Sequence, residues 1–150
     1  MKRAACFLSL GLLLVGCGSS NLSSNSGPNV TVHLAQVNTA PDVFYFSGPV
    51  NIQYQLSITN PTSDPLTLTR LDLETVGPGA YSLRTAATPM NLKVPLNSTA
   101  TYTISVWGRA RGGYLAADEP VTLRGTAYFK GPSGSFVRIF TENISPLAAR

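Results

Sequence analysis

Charge, histidine and cysteine are all scarce in this chain of 150 residues, and each shortage excludes a class of protein. Charged residues make up 12%, too few for a helical bundle with Glu- and Lys-rich solvent faces. The chain has one histidine and two cysteines, too few ligands for a structural zinc site. The net charge of +4 is small and spread along the chain, which excludes a nucleic-acid-binding surface.

Groups able to perform catalysis are equally rare. His33 alternates with Val32 and Leu34 in "VTVHLAQ", so we expect it to face solvent rather than act as a catalytic base. Asp72 and Glu74 share a strand face, where solvated surface charge is the expectation and a weak cation site the alternative. We therefore expect no enzyme, no metal and no cofactor.

The N-terminus has the pattern of an export signal. Met1–Arg3 is basic, and the apolar run from Ala4 to Gly16 ends at Cys17. That run is shorter than the roughly 20 residues needed to span a bilayer, but it fits the apolar region of a secretory signal. Residues 1–17 closely resemble a bacterial lipoprotein signal peptide with its lipobox, because a basic start, an apolar run, a small residue and a cysteine follow in that order.

This resemblance implies that the Cys17 thiol carries a diacylglyceryl group, that cleavage follows Gly16, and that the new amino group takes an acyl chain such as palmitate. The alternative is a plain signal with a free Cys17 thiol. Gly18 stands where a retention signal would have Asp, which favours the outer membrane in a Gram-negative host. The implied address is the bacterial cell envelope, with membrane lipid as the partner and no nucleic acid.

The chain divides into three parts. Residues 1–16 form the signal peptide, and residues 17–28 contain the lipidated cysteine and a Gly- and Ser-rich flexible tether. Residues 29–150 form the folded domain. Because Cys6 leaves with the signal, no disulfide is expected within that domain.

From residue 29 onward apolar and polar residues alternate, which is the period of half-buried β-strands. The clearest run, "VNIQYQLSI", places Val50, Ile52, Tyr54, Leu56 and Ile58 on one face. The other residues predicted to point inward are Val30, Val32, Leu34, Ala100, Tyr102, Ile104, Val106, Val121, Leu123, Gly125, Ala127 and Phe129. Seven or so antiparallel strands in this length predict an all-β sandwich.

Two local features interrupt or join these strands. The apolar positions of "LTLTRLDLETV" change phase near Thr69 and Arg70, which predicts a β-bulge or a bend. The turn sequence Gly131-Pro132-Ser133-Gly134 predicts a hairpin between the last two strands.

Residues 54–77, "YQLSITNPTSDPLTLTRLDLETVG", resemble the LEA14-like family, also called the water-stress and hypersensitive-response (WHy) domain. The shared features are a strand ending in Asn60-Pro61, a polar turn, and then Pro65-Leu66 in an apolar strand that reaches Gly77. The segments "VPLNSTATYTISV" and "LRGTAYF" look like later family strands, whereas "FVRIFTENISP" departs from the pattern. The resemblance implies an immunoglobulin- or fibronectin-III-like sandwich, export or lipid anchoring, and protection in dehydration or related stress. It implies no catalytic residues.

One loop and one aromatic residue are candidates for contact with a ligand. In "GRARGGY", Arg109 and Arg111 stand among glycines and could hold a phosphate, a sulfate or anionic headgroups; a solvated loop is the competing interpretation. Trp107 is expected to pack at a strand end. The alternative is that Trp107 and Tyr114 contact a ligand or a partner.

These observations favour a non-enzymatic, lipid-anchored envelope protein that acts through its surface in stress or desiccation protection. Two alternatives stay open. One is an accessory subunit that docks on a larger envelope complex through a sheet edge. The other is a small-ligand or carbohydrate-binding β-sandwich.

Overall fold

The computed structural model describes residues 27–37, 47–83, 86–112 and 119–145. Within these ranges the chain forms eight β-strands and no helix. The strands are β1 (Thr31–Gln36), β2 (Gly48–Asn60), β3 (Leu66–Thr75), β4 (Tyr81–Ser82), β5 (Ala86–Val94), β6 (Ser98–Ala110), β7 (Val121–Gly131) and β8 (Gly134–Ile144).

The strands form two four-stranded sheets that pack against each other. Sheet A has the order β1-β2-β6-β4, and sheet B has the order β5-β3-β7-β8. All pairings are antiparallel. The longest ladder joins β2 and β6 without interruption, from Gly48 opposite Ala110 to Asn60 opposite Ser98. The predicted all-β sandwich is therefore confirmed, with eight strands instead of about seven.

The alternating residues fill the space between the sheets, as the period of two predicted. All five inward residues of β2 and all five of β7 are buried. On β6 the phase is also correct, but Ala100, Tyr102 and Ile104 are only half-buried, and Val106 is buried. Tyr102 and Ile104 lie near β5, the edge strand of sheet B.

Both predicted irregularities are present. The pairing of β3 with both neighbouring strands shifts between Leu68 and Arg70, which is the expected bulge. The last two strands form a hairpin that closes with Gly131 opposite Gly134, and Gly134 has a φ of 126°, which favours glycine. The central glycine of β7, Gly125, lies under the ring of Phe140, where a Cβ atom would be 2.1 Å from the ring.

Two strands were not predicted from the sequence. Strand β4 has only two residues, and it pairs with the end of β6. Strand β5 contains Pro89, which hides its alternation and which is tolerated because β5 is an edge strand. The hydroxyl of Tyr102 on β6 donates to the carbonyl of Lys93, which ties this edge strand to the opposite sheet.

The Asn60-Pro61 motif forms a corner where the chain crosses from sheet A to sheet B. We define the Asn60 corner as residues 60–65 and 94–97. The fully buried Asn60 amide donates to the carbonyls of Asp64 (2.8 Å) and Pro95 (3.0 Å), and its oxygen accepts from the Thr62 amide (3.0 Å) and hydroxyl (2.7 Å). The Asn97 amide also donates to the Thr62 carbonyl (2.9 Å). One side chain thus joins the β2–β3 and β5–β6 connections.

A buried polar chain lies toward the other end of sheet A. The Tyr54 and Tyr81 hydroxyls are 2.7 Å apart, and Tyr81 donates to the Gln36 side-chain oxygen at 3.1 Å. Burial raises the pKa of Tyr81 to about 12, and burial together with the neighbouring Tyr81 raises the pKa of Tyr54 further. All three side chains are buried, so the neutral hydroxyls act as structural links between β1, β2 and β4.

Candidate functional site

The outer face of sheet A is covered almost entirely by uncharged polar side chains. Because side chains alternate along a strand, the residues between the core positions of β1, β2 and β6 share this face. We name this surface the polar face; its residues are Thr31, His33, Ala35, Asn51, Gln53, Gln55, Ser57, Thr59, Thr99, Thr101, Thr103, Ser105, Trp107 and Arg109. None of these is a carboxylate, and every one on β6 is exposed.

Hydroxyl groups on neighbouring strands of the polar face lie close enough to interact. The hydroxyls of Thr59 and Thr99 form a hydrogen bond of 2.9 Å, and those of Ser57 and Thr101 are 3.5 Å apart. Each hydroxyl has both a donor and acceptor capacity, so such pairs still present groups to solvent. The sequence signal for this face is Ser, Thr, Asn or Gln at alternate positions of two long strands, and it was not among the predicted candidate sites.

Trp107 lies at one end of the polar face, opposite Asn51 on β2. Its side chain is 68% exposed, the most exposed large apolar residue among those described. The prediction that Trp107 packs at a strand end is therefore wrong. The period of β6 explains the difference, because Val106 takes the inward position and turns Trp107 toward solvent.

The two candidate arginines are not on one loop. Arg109 belongs to β6, opposite Pro49 on one side and Ser82 on the other, so the predicted loop begins only after Ala110. Arg111 follows the strand, and its amide donates to the Ala80 carbonyl at 3.1 Å. Both side chains are exposed, and neither forms an ion pair with a carboxylate of the described ranges. The predicted anion site, with Arg109 and Arg111 on one glycine-rich loop, is therefore not present. Only Arg109 lies beside Trp107.

A depression in the surface adjoins this end of the polar face. It has a volume of about 290 Å³ and is lined by Ser82, Trp107, Gly108 and Arg109. Its small size places it at the lower limit for pockets that hold small molecules. The depression therefore brings together an aromatic ring (Trp107), a hydroxyl group (Ser82) and a guanidinium group (Arg109). Tyr114, the other aromatic candidate, lies outside the described residues.

The paired carboxylates are engaged within the protein. Asp72 is buried and accepts two hydrogen bonds from the Arg70 guanidinium, at 2.6 and 2.7 Å, so it is not the solvated charge we expected. This contact raises the pKa of Arg70, whose guanidinium also lies 4.9 Å from the ring centre of Tyr128. The Glu74 carboxylate lies 3.9 Å from the guanidinium of Arg124. The bulge explains the short Asp72 contact, because it places Arg70 and Asp72 together outside the core.

His33 is exposed, as its position in the alternation predicted. Its Nδ1 atom lies 2.8 Å from a Glu142 carboxylate oxygen, which links β1 to β8 across the open side of the sandwich. Across the described ranges, no three His, Cys, Asp or Glu residues are grouped closely enough to hold a metal ion. Likewise, that part of the chain contains no helix long and apolar enough to cross a membrane. Gly16 and Cys17 lie outside the described residues.

Comparisons with known proteins define the fold and do not extend to an activity. No family model matches the chain, and no curated protein matches it. A solved protein from Archaeoglobus fulgidus is similar over 80% of this chain and 96% of its own, with 10% identity and a TM-score of 0.50. At this identity the likeness shows the two-sheet fold alone.

Two further solved structures are similar at lower scores. The structural genomics target SoR45 shares 14% identity over 83% of this chain and 95% of its own, with a TM-score of 0.48. The GAE domain of yeast GGA1 shares 15% identity over 79% of this chain and 93% of its own, with a TM-score of 0.46.

Proposed function

We propose that this protein is a lipid-anchored, non-enzymatic component of the bacterial cell envelope that acts through the polar face of sheet A. The observation that carries the proposal is the contrast in charge between the two outer faces. Sheet B carries one ion pair within β3, Arg70 with Asp72, and one between β3 and β7, Glu74 with Arg124. The polar face presents hydroxyl and amide groups and no carboxylate. A surface of this kind interacts by short-range hydrogen bonds, and its contacts are not screened by salt.

The resemblance of residues 54–77 to a stress-related family favours protection during dehydration as the role of this surface. Hydroxyl and amide side chains can replace the hydrogen bonds that water makes to a neighbouring macromolecule as water is lost. Because these groups stand on paired strands, little conformational entropy is lost when they make such bonds. A hydroxyl-rich sheet without carboxylates therefore suits a protein that covers other envelope components during drying.

To test this role, the full-length chain is added to a client enzyme that aggregates during drying. We expect it to slow aggregation more than an inert protein at equal mass. Thr103→Lys places a charge in the middle of the polar face and is expected to remove most of the effect. Asn91→Lys, an exposed residue on β5, adds the same charge away from that face and serves as the control. Equal protection by both variants would contradict a role for the polar face.

Lipid anchoring is tested separately, by incorporation of radiolabelled palmitate in bacteria. Cys17 provides the only thiol at the end of the apolar run, so Cys17→Ala is expected to abolish labelling. Two or more acyl chains hold a protein stably at a membrane, because each buried methylene contributes about 0.8 kcal/mol. Absent labelling, or equal labelling of Cys17→Ala, would exclude the anchor and leave the surface proposal standing.

A second candidate function is carbohydrate binding, and the exposed Trp107 beside Arg109 favours it. A sugar ring has an apolar face of C–H groups and an edge of hydroxyls, which match an aromatic ring and a flanking polar row. Trp107 is the only tryptophan in the chain, so its fluorescence reports on this position alone. We expect a saturable shift of its emission with a bound saccharide. No response to a broad panel of neutral and acidic sugars would reject this candidate.

A further inference from the structure

The end strands of the two sheets differ in how their free edges are protected. Each exposed edge presents unpaired N–H and C=O groups that can bind another strand. The end strands here are β1, β4, β5 and β8. Strand β4 has two residues, β1 has six, and β5 contains Pro89 beside a bulged pairing.

Strand β8 lacks these protections. It has 11 residues, contains no proline, and pairs with β7 in one continuous register. No strand of the described residues lies beyond it in sheet B. On its outer face Val137 is half-buried and Ile139 is 46% exposed, so an added strand would also cover apolar surface. Of the described edges, β8 is therefore the one suited to strand addition.

Two charged residues on β8 restrict which strand can be added. Arg138 and Glu142 have the phase of Phe136 and Phe140, so they stand on the inner side of the edge strand. Arg138 donates to the carbonyls of Gly27 (2.8 Å) and Pro28 (3.0 Å), and Glu142 contacts His33. Both are half-buried, and charges turned inward on an edge strand oppose pairing with a strand that cannot complement them.

A second copy of β8 complements both charges. In an antiparallel pair centred on Phe140, Arg138 lies opposite Glu142 of the second copy, and the symmetry repeats this contact. The same register places Ile139 opposite Thr141. A register centred on Ile139 would place Arg138 opposite Phe140, and one centred on Thr141 would place it opposite Ile144. Only the Phe140-centred arrangement among these three pairs opposite charges across the strands.

From this charge complementarity we infer that two copies of the protein associate through β8, antiparallel and centred on Phe140, to form one continuous eight-stranded sheet. The inference concerns a different surface from the polar face and does not depend on the proposed function. It also assigns Arg138 and Glu142 a role in selecting the partner strand: they disfavour other strands and favour a second copy.

Cysteine cross-linking of the full-length chain in bacterial membranes tests this register. Two differently tagged copies are co-expressed, one with Ile139→Cys and one with Thr141→Cys, and are then oxidised. Residues directly opposite each other have Cβ atoms close enough for a disulfide, whereas the diagonal neighbours are about 7–8 Å apart. The mixed pair is therefore expected to cross-link at least about threefold more than either variant with itself. The chain without an added cysteine gives the background from Cys6 and Cys17.

Three results would overturn the inference: cross-linking no higher than the background, equal or higher cross-linking of one variant with itself, and preferential cross-linking to a different protein. The last result would indicate that β8 binds a partner strand. A second measurement is the dimer fraction of the detergent-solubilised chain. Ile139→Lys is expected to weaken dimerisation on the order of tenfold, because lysine on an edge strand opposes pairing. Asn91→Lys on β5 is the control, and equal weakening by both would also overturn the inference.

Discussion

The two ends of the β2–β6 ladder carry opposite kinds of chemistry. At one end Asn60 is fully buried and joins two connections between the sheets by hydrogen bonds. At the other end Trp107 is 68% exposed on the polar face, beside Arg109. The recognisable sequence motif belongs to the buried end. This motif therefore stabilises the fold, whereas the residues available for contact lie outside it.

The largest effect is expected from breaking the buried end. Asn60→Ala removes the bonds to Thr62 and leaves the carbonyls of Asp64 and Pro95 without this donor. Because unsatisfied buried groups are costly, the free energy of unfolding should fall by about 3 kcal/mol. Urea unfolding followed by circular dichroism measures this loss. Asn91→Ala, an exposed asparagine on β5, should change it by less than about 0.5 kcal/mol. Similar values for the two variants would refute the structural role of Asn60.

An intermediate effect is expected from alkaline pH, which acts on the buried tyrosine pair. The pKa of Tyr81 is raised from 10.0 to about 12, and that of Tyr54 is raised further. The stability that the two neutral hydroxyls contribute is complete below pH 10, which is the tyrosine pKa in the unfolded chain. It is lost as the pH rises through the raised pKa values of the folded chain. Between pH 10 and pH 11 the free energy of unfolding should fall by about 2 kcal/mol.

The measurement is urea unfolding at a series of pH values, with Tyr81→Phe as the comparison. This variant keeps Tyr54 and removes one titrating hydroxyl, so the decrease should be about half as steep. An unchanged slope would show that Tyr81 does not titrate in this way.

The smallest effect on stability is expected at the exposed end. Trp107→Ala removes a side chain that makes few contacts with the core, so the free energy of unfolding should change by less than about 0.5 kcal/mol. Thermal unfolding followed by circular dichroism measures it. A loss comparable to that of Asn60→Ala would show that Trp107 is a structural residue and would remove the distinction between the two ends.

The sequence predicted the fold well because the period of two is a direct consequence of strand geometry. It located the core residues of β2 and β7, the bulge before Arg70 and the hairpin at Gly131–Gly134. It missed β5, because Pro89 interrupts the pattern and only the position at a sheet edge makes that proline acceptable.

The candidate site was less predictable because exposure depends on the phase of a strand and on its neighbours across the sheet. Trp107 was expected to pack because large aromatic residues are mostly buried, yet the inward position belongs to Val106. The hydroxyl- and amide-rich character of the polar face arises only when β2 and β6 pair, and these strands are far apart in the sequence. The bulge turns Asp72 away from the core, and the Arg70 guanidinium on the same face bonds its carboxylate.

The order of strands also has a kinetic consequence. Strands β3, β4 and β5 all lie between β2 and β6 in the sequence, so the central ladder of sheet A closes a long loop. The entropy of closing that loop must be overcome before the ladder gains stability, and non-local pairings of this kind slow folding. Strand β2 therefore waits, with one edge unpaired, until β6 has emerged from the ribosome. During that interval the newly made chain depends on whatever shields an unpaired strand from aggregation.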